Sequence, residues 1–151
     1  NWLTNFNKHS NIDVHEGITI KGDMVFAGWG TALENIPNCK YLFGHFDIIG
    51  YILNKNKLST HGFRADDLRN KVEKMVWSGH YHLVQTKKYS NKPLIYAGSA
   101  FQLDWNDAND TKYAYILDVS DNSIQKIENN ISPRFNYIYS EQDLSKVKEI
   151  L

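Results

Sequence analysis

Residues 75–82 read Met-Val-Trp-Ser-Gly-His-Tyr-His, and this stretch carries most of the information in the chain. The apolar run 75–77 is typical of a buried strand, and Gly79 allows a sharp backbone turn at its end. In an extended backbone the side chains at i and i+2 point the same way, so His80 and His82 present two imidazoles to one place. Neutral imidazole is a ligand for zinc, manganese and iron-type metals.

Two further apolar runs also end in polar groups. Residues 41–43 are followed by Gly44-His45, and residues 93–96 are followed shortly by Gly98-Ser99. Ligands in layered α/β proteins bind at the carboxyl ends of strands, so His45, His80 and His82 form the candidate metal cluster. The alternative is that His80 and His82 cap turns and that His45 is a satisfied core residue.

Three imidazoles alone are enough for one zinc ion with an open coordination position. Phosphate-ester hydrolases more often use two metals about 3.5–4 Å apart, and such a pair needs bridging carboxylates. No obvious carboxylate motif of that kind occurs in this chain. The residues by themselves therefore leave the number of metals open.

Composition sets broad limits on the class of protein. The 151 residues fit one domain or part of one, and 42% hydrophobic content is enough for a core. Lys+Arg and Asp+Glu both number 17, which argues against a large, uniformly basic nucleic-acid face but allows local basic loops. The single Cys39 excludes an internal disulfide and fits a reducing, cytoplasmic compartment. No apolar run has the ~18 residues of a membrane helix, so no membrane partner is expected.

Periodicity predicts short strands joined by tight turns, as in a mixed α/β chain. Gly22-Asp23 is the turn of the first hairpin, and Thr31 caps a short helical turn that Pro37 ends. Residues 87–92 are the tip of a later hairpin, and Asp121-Asn122 turns the last one. The expected strands are 18–20, 24–27, 40–43, 75–77, 83–86, 93–96, 112–118 and 123–127.

Two helices and one long loop complete the expected organisation. Residues 66–74 fit a short helix, and residues 140–143 resemble a capping box before a helical stripe that ends at Leu151. Residues 47–62 form a long connection of the kind that often carries function. It contains Lys55 and Lys57 and ends at His61, which is more simply a turn residue than a ligand.

The order of these motifs resembles the later half of a calcineurin-like metallophosphoesterase. The resemblance rests on Gly44-His45, on residues 78–82 about 35 positions later, and on residues 96–99, Tyr-Ala-Gly-Ser. The run 102–105, Gln-Leu-Asp-Trp, narrows it to the nuclease subunit of SbcCD-type DNA repair and phage recombination complexes. Two motifs of the family's first half, Gly-Asp-x-x-Asp and Gly-Asn-His-Asp, are not present.

The resemblance implies an α/β (α+β) fold, a four-layer β-sandwich flanked by helices, of which residues 1–133 are the later half. Residues 134–151 would begin a following capping segment. His45 and His80 would bind one divalent metal and His82 a second, with manganese favoured and magnesium or zinc left open. The catalytic acid–base group and the remaining ligands would lie upstream of Asn1, so this piece alone is expected to be inactive.

The implied function is metal-dependent hydrolysis of DNA phosphodiester bonds, as an exonuclease or endonuclease. The implied partners are DNA, an SbcC-type ATPase subunit and a second copy joined through the upstream half. Ser99 would lie near a substrate phosphate, although Ala100 stands where the family often has proline. Lys87, Lys88 and Lys92 would contact DNA and Tyr89 would stack on a base; these lysines are equally well explained as solvated loop residues.

Two alternatives remain open from the sequence. The same fold could act on small phosphate esters or cyclic nucleotides, which the zero net charge favours. A non-catalytic interaction module of the same fold would account for the absent upstream motifs.

Overall fold

The computed structural model describes residues 5–6, 8–12, 14–54, 57–89, 91–137 and 139. The chain divides into two compact units, Asn1–Gly98 and Ser99–Leu151. It is a mixed α/β protein with little helix, which confirms the fold class at that coarse level.

Among its described residues, the first unit contains one α-helix, α1 Ala65–Asn70, and eight strands. The strands are β1 Ile18–Lys21, β2 Met24–Ala27, β3 Cys39–Gly44, β4 Ile52–Asn54, β5 Lys57–Leu58, β6 Val72–Ser78, β7 Gln85–Tyr89 and β8 Lys92–Tyr96. Six strands form one sheet in the order β1-β2-β3-β6-β8-β7. Strands β2, β3, β6 and β8 are parallel, whereas β1 and β7 pair antiparallel at the two edges. The four parallel strands therefore end at the same edge of the sheet.

The sheet buries different side chains on its two faces. Val25, Leu42, Val76 and Leu94 are successive register partners and belong to the buried core cluster. The alternate positions carry a row of stacked aromatic rings, with centroids 5.1 Å apart for Phe26–Phe43 and 6.5 Å for Phe43–Trp77. Residues 75–78 of β6 are all buried, so this part of the strand lacks polar alternation, as expected for an inner parallel strand.

The first hairpin confirms its sequence prediction, and two neighbouring predictions need correction. Gly22 lies in the turn between β1 and β2. Thr31 does not cap a helix: its hydroxyl donates to the Gly28 carbonyl at 2.8 Å, and the 3₁₀ turn begins later, at Leu33. The helix predicted over 66–74 ends at Asn70, because buried Val72 pairs with Cys39 and starts β6.

The two predicted loops of the first unit contain more strand than expected. Residues 47–62 include the short hairpin β4–β5. The predicted hairpin tip over 87–92 is shorter, because β7 and β8 remain paired as far as Tyr89 and Lys92. The expected strand residues Leu83 and Val84 lie before β7. The tip lysines are therefore strand residues rather than loop residues.

The second unit contains a 3₁₀ turn and a hairpin: Trp105–Asp107, β9 Tyr113–Asp118 and β10 Ser123–Glu128. Both strands and the turn at Asn122 agree with the sequence prediction. A buried ion pair, which the sequence did not predict, joins Lys112 Nζ to Asp107 Oδ1 at 3.1 Å. The other carboxylate oxygen of Asp107 accepts a hydrogen bond from Leu103 N at 2.8 Å, so this buried charge is well paired.

Some sequence predictions fall outside the described residues. These are Lys55 and the capping box and helical stripe over 140–151. The domain boundary at 133/134 stays a prediction. Within the described part of the chain, α1 is short, and no helix has the length and apolar character needed to cross a membrane.

Candidate functional site

The carboxyl ends of three adjacent parallel strands bring three aromatic side chains together. Trp29 follows β2, His45 follows β3 and His80 follows β6. The ring centroids of His45 and His80 lie 5.2 Å apart, and the Trp29 ring lies 5.4 Å from His45 and 4.8 Å from His80. We refer to these three residues as the strand-end cluster.

The loop that carries His45 is fixed by buried side chains from β6 and β8. The Ser78 hydroxyl accepts a hydrogen bond from Phe46 N at 2.9 Å, and its proton is within reach of the Gly79 carbonyl. The Tyr96 hydroxyl donates to the Phe46 carbonyl at 2.8 Å. These contacts place His45 at the edge of the sheet with little freedom in its backbone.

Gly79 allows the His45 ring to lie directly against the backbone of the next strand end. A Cβ atom at position 79 would stand 2.9 Å from His45 Nδ1, closer than such atoms normally approach. The backbone then turns at His80, whose φ angle of 88° is left-handed. The extended geometry expected for 80–82 is therefore wrong, because β6 ends at Ser78.

The structure brings together His45 and His80 but does not form the complete predicted triad. Within the described residues, no group of ligand atoms with mutual separations up to 4.8 Å combines these two histidines with His82. His82 is half-buried, and the Gly98 backbone packs closely against its carbonyl oxygen. Its role as a ligand stays a prediction.

A second, carboxylate-containing network lies on the chain directly after His45. The carboxylate of Asp47 accepts hydrogen bonds from the Tyr81 hydroxyl and, at 2.7 Å, from the Ser59 hydroxyl. Burial raises the pKa of Tyr81, and its hydrogen bond to Asp47 raises it further. The network ties residues 45–47 to the backbone that follows His80.

Trp29 is presented by a tight turn. The Thr31 hydroxyl and amide both donate to the Gly28 carbonyl, and Gly30 adopts a φ angle of 80° that favours glycine. The Gly28 amide in turn donates to the Gly17 carbonyl at 2.8 Å. The indole is held beside the two imidazoles while the residue stays 65% exposed.

Two clefts open beside the strand-end cluster. The larger has a volume of about 740 Å³ and includes His15, Glu16 and all three cluster residues in its lining. The smaller, about 390 Å³, is lined by Trp29, His45 and residues of the segments 30–32, 46–47 and 62–63. Sequence reasoning missed both His15 and Trp29. The Gly-Trp-Gly that follows β2 is a usable signal for Trp29, and the Asp-x-His pattern Asp13-Val14-His15 is a usable signal for His15.

The electrostatics at His45 favour the neutral imidazole. Partial burial lowers the pKa of His45, and the adjacent His80 lowers it further. A neutral ring keeps the lone pair that a metal requires. The ring centroids of His45 and His80, 5.2 Å apart, are close enough for one nitrogen of each ring to reach a shared ion through metal–nitrogen bonds of about 2.1 Å. The two rings are therefore candidate ligands for one divalent transition-metal ion.

The predicted DNA-contacting residues on β7 and β8 mostly have partners within the chain. Lys87 Nζ donates to the Gly50 carbonyl at 2.6 Å, and Lys92 Nζ donates to the Val72 carbonyl at 2.6 Å. The Tyr89 ring packs against the core and lies 5.8 Å below the Arg69 guanidinium. Lys88 is exposed. Their contact with DNA stays a prediction.

Ser99 follows β8, as its Gly-Ser motif predicts, and belongs to the second unit. Its hydroxyl oxygen is buried and has no hydrogen-bond partner among the described residues. A role near a substrate phosphate stays a prediction.

No family model, curated protein or solved structure matches this chain.

Proposed function

We propose that the chain is part of a divalent-metal-dependent phosphodiesterase of the calcineurin-like type, acting on nucleic acid. One observation carries the proposal: His45 and His80 leave the carboxyl ends of adjacent parallel strands and lie 5.2 Å apart. Their motifs occur in the order that the resemblance to the SbcCD-type nuclease subunits requires. Convergence of two Gly-His strand ends is difficult to explain by packing, because neither histidine belongs to the buried core.

In this proposal His45 and His80 hold one metal ion, manganese by resemblance, and His82 belongs to a second. When bound, a divalent cation supplies Lewis acidity for phosphoester hydrolysis. The chain's own contribution is placement: Ser78 and Tyr96 fix the His45 loop, and Gly79 leaves room for its ring. A cytoplasmic location, an SbcC-type ATPase partner and a second copy remain part of the same proposal.

A second candidate function, hydrolysis of a small phosphate ester or cyclic nucleotide, is supported by the β7–β8 hairpin. Two of its three lysines, Lys87 and Lys92, already donate to backbone carbonyls. They are therefore less available for phosphate contacts along a duplex.

Manganese binding tests the metal site directly. The full chain is titrated with Mn²⁺ by calorimetry, and the same titration is run on His45→Ala, His80→Ala and the control His61→Ala. Loss of a ligand is expected to weaken binding at least about tenfold. His61 is an exposed residue whose ring contacts Thr60, so its variant is expected to bind like the wild type. Equal affinity in all four proteins would refute the site.

The substrate is tested with the whole product of the open reading frame that encodes this chain. Short duplex DNA and a chromogenic phosphodiester are supplied with manganese. The exposed Lys88 is replaced in Lys88→Ala, and Lys87→Ala is the control because Lys87 already donates to a backbone carbonyl. If DNA is the substrate, we expect cleavage of both compounds and weaker DNA binding in Lys88→Ala. Cleavage of the small ester alone would favour the second candidate function.

A further inference from the structure

Trp29 is the feature of the first unit that the metal proposal leaves unexplained. The residue is 65% exposed, although burying an indole is among the most favourable ways to remove apolar surface from water. A single exposed apolar residue needs no explanation by itself. Trp29, however, borders both clefts and contacts both converging imidazoles.

The turn that presents Trp29 is built to hold the indole in place. Two hydrogen bonds from Thr31 close it, and a third ties it to Gly17. His45 meets the indole edge-on, with an interplanar angle of 74°. A ring held in this way loses little side-chain entropy when a planar ligand stacks on it.

We propose that Trp29 stacks on a nucleobase of the substrate, so that the cleft beside the imidazoles takes a nucleotide with an unpaired base. The inference rests on the proposed function, because the same nucleotide would place its phosphate toward His45 and His80. A base must be unstacked to offer its face to an aromatic side chain. The larger cleft, at about 740 Å³, is open to solvent and has room for a ligand of this size.

The structure favours Trp29 over Tyr89, the residue that the sequence suggested for stacking. Tyr89 packs against the core and lies beneath Arg69. It is also a strand residue on β7, whereas Trp29 stands at the strand ends next to the candidate metal ligands. The proposed base contact therefore lies at the turn after β2 and not on the edge strand β7.

A nucleotide with and without its base separates stacking from phosphate binding. The full chain is titrated with deoxyadenosine 5′-monophosphate and with deoxyribose 5-phosphate, each with and without Mn²⁺. Stacking of one base is expected to be worth about 5-fold to 150-fold in affinity. Wild type is therefore expected to prefer the nucleotide by at least about fivefold, and Trp29→Ala is expected to lose that preference while its affinity for deoxyribose 5-phosphate is unchanged.

Three further variants make the result specific. Trp29→Phe keeps a ring and is expected to retain part of the preference, whereas Trp29→Leu keeps apolar volume and is expected to lose it. Ile20→Ala is the control, because it removes another large exposed side chain (61%) that lies on β1, outside the two clefts beside the strand-end cluster. It is expected to behave like the wild type. Circular dichroism checks that each variant is folded.

The outcomes distinguish this inference from the metal proposal. Equal wild-type affinity for the two ligands, or an unchanged preference in Trp29→Ala, would refute stacking whether or not manganese binds. A drop in manganese affinity in Trp29→Ala would indicate that the indole positions the imidazoles, and it would also refute the stacking role. A base preference that depends on Trp29 in a chain that binds no manganese would support stacking and refute the metal site.

Discussion

Replacing Ser78 with alanine tests whether β6 fixes the loop that carries His45. Ser78 is 2% exposed, and its hydroxyl accepts a hydrogen bond from the Phe46 amide at 2.9 Å. Alanine fits the space but leaves that buried N–H without its acceptor. An unsatisfied buried donor costs about 1–3 kcal/mol, so the free energy of unfolding is expected to fall by about 2 kcal/mol.

Urea unfolding followed by far-ultraviolet circular dichroism measures this change. With a slope of about 2 kcal/mol per molar urea, the midpoint of Ser78→Ala is expected about 1 M below that of the wild type. Ser99→Ala is the matched contrast, because the Ser99 hydroxyl is buried and has no partner among the described residues. Its removal is expected to cost no stability.

Amide hydrogen exchange gives a local reading of the same substitution. The Phe46 amide is expected to exchange faster in Ser78→Ala than in the wild type, because its acceptor is gone. The affinity for Mn²⁺ is expected to fall as well, since His45 lies between Gly44 and Phe46. An unchanged urea midpoint together with an unchanged Phe46 exchange rate would refute the role assigned to Ser78.

Gly79→Ala is expected to weaken manganese binding, because its Cβ would stand 2.9 Å from Nδ1 of His45; calorimetric affinity equal to that of the wild type would contradict this. Lys112→Met leaves buried Asp107 without its 3.1 Å partner and is expected to cost about 3–5 kcal/mol in urea unfolding. Burial raises the pKa of Tyr96 in the folded protein. As the pH rises above about 10, the Tyr96 hydroxyl therefore ionises in the unfolded chain but not in the folded one, and the free energy of unfolding falls. Tyr96→Phe is expected to lessen that loss by up to about 1.4 kcal/mol per pH unit, and identical alkaline unfolding curves would count against this assignment.

Local sequence signals were reliable where neighbouring residues decide the structure. The hairpins around Gly22 and Asn122 formed as predicted, because glycine and asparagine readily adopt the positive φ angles of tight turns. The apolar runs before His45 and His80 became β3 and β6 because both are inner strands of the sheet.

Predictions failed where a residue's partner lies far away in the chain. Val72 fits the helical stripe of the preceding residues, yet it pairs with Cys39 and begins a strand. Lys87 and Lys92 read as loop lysines, yet each donates to a backbone carbonyl at least 20 residues distant. Pairing energy gained across such distances overrides local propensity.

By itself, the sequence determined that two strands end in Gly-His and that each of these ends carries an imidazole, because residue type and apolar runs are local properties. Only the tertiary structure decided which strands are neighbours, and with them which rings meet. The order β2-β3-β6 sets Trp29 beside His45 and His80, and the left-handed turn at His80 replaces the extended geometry expected for His82. Strand order follows from packing across the whole core, which no short stretch of sequence contains.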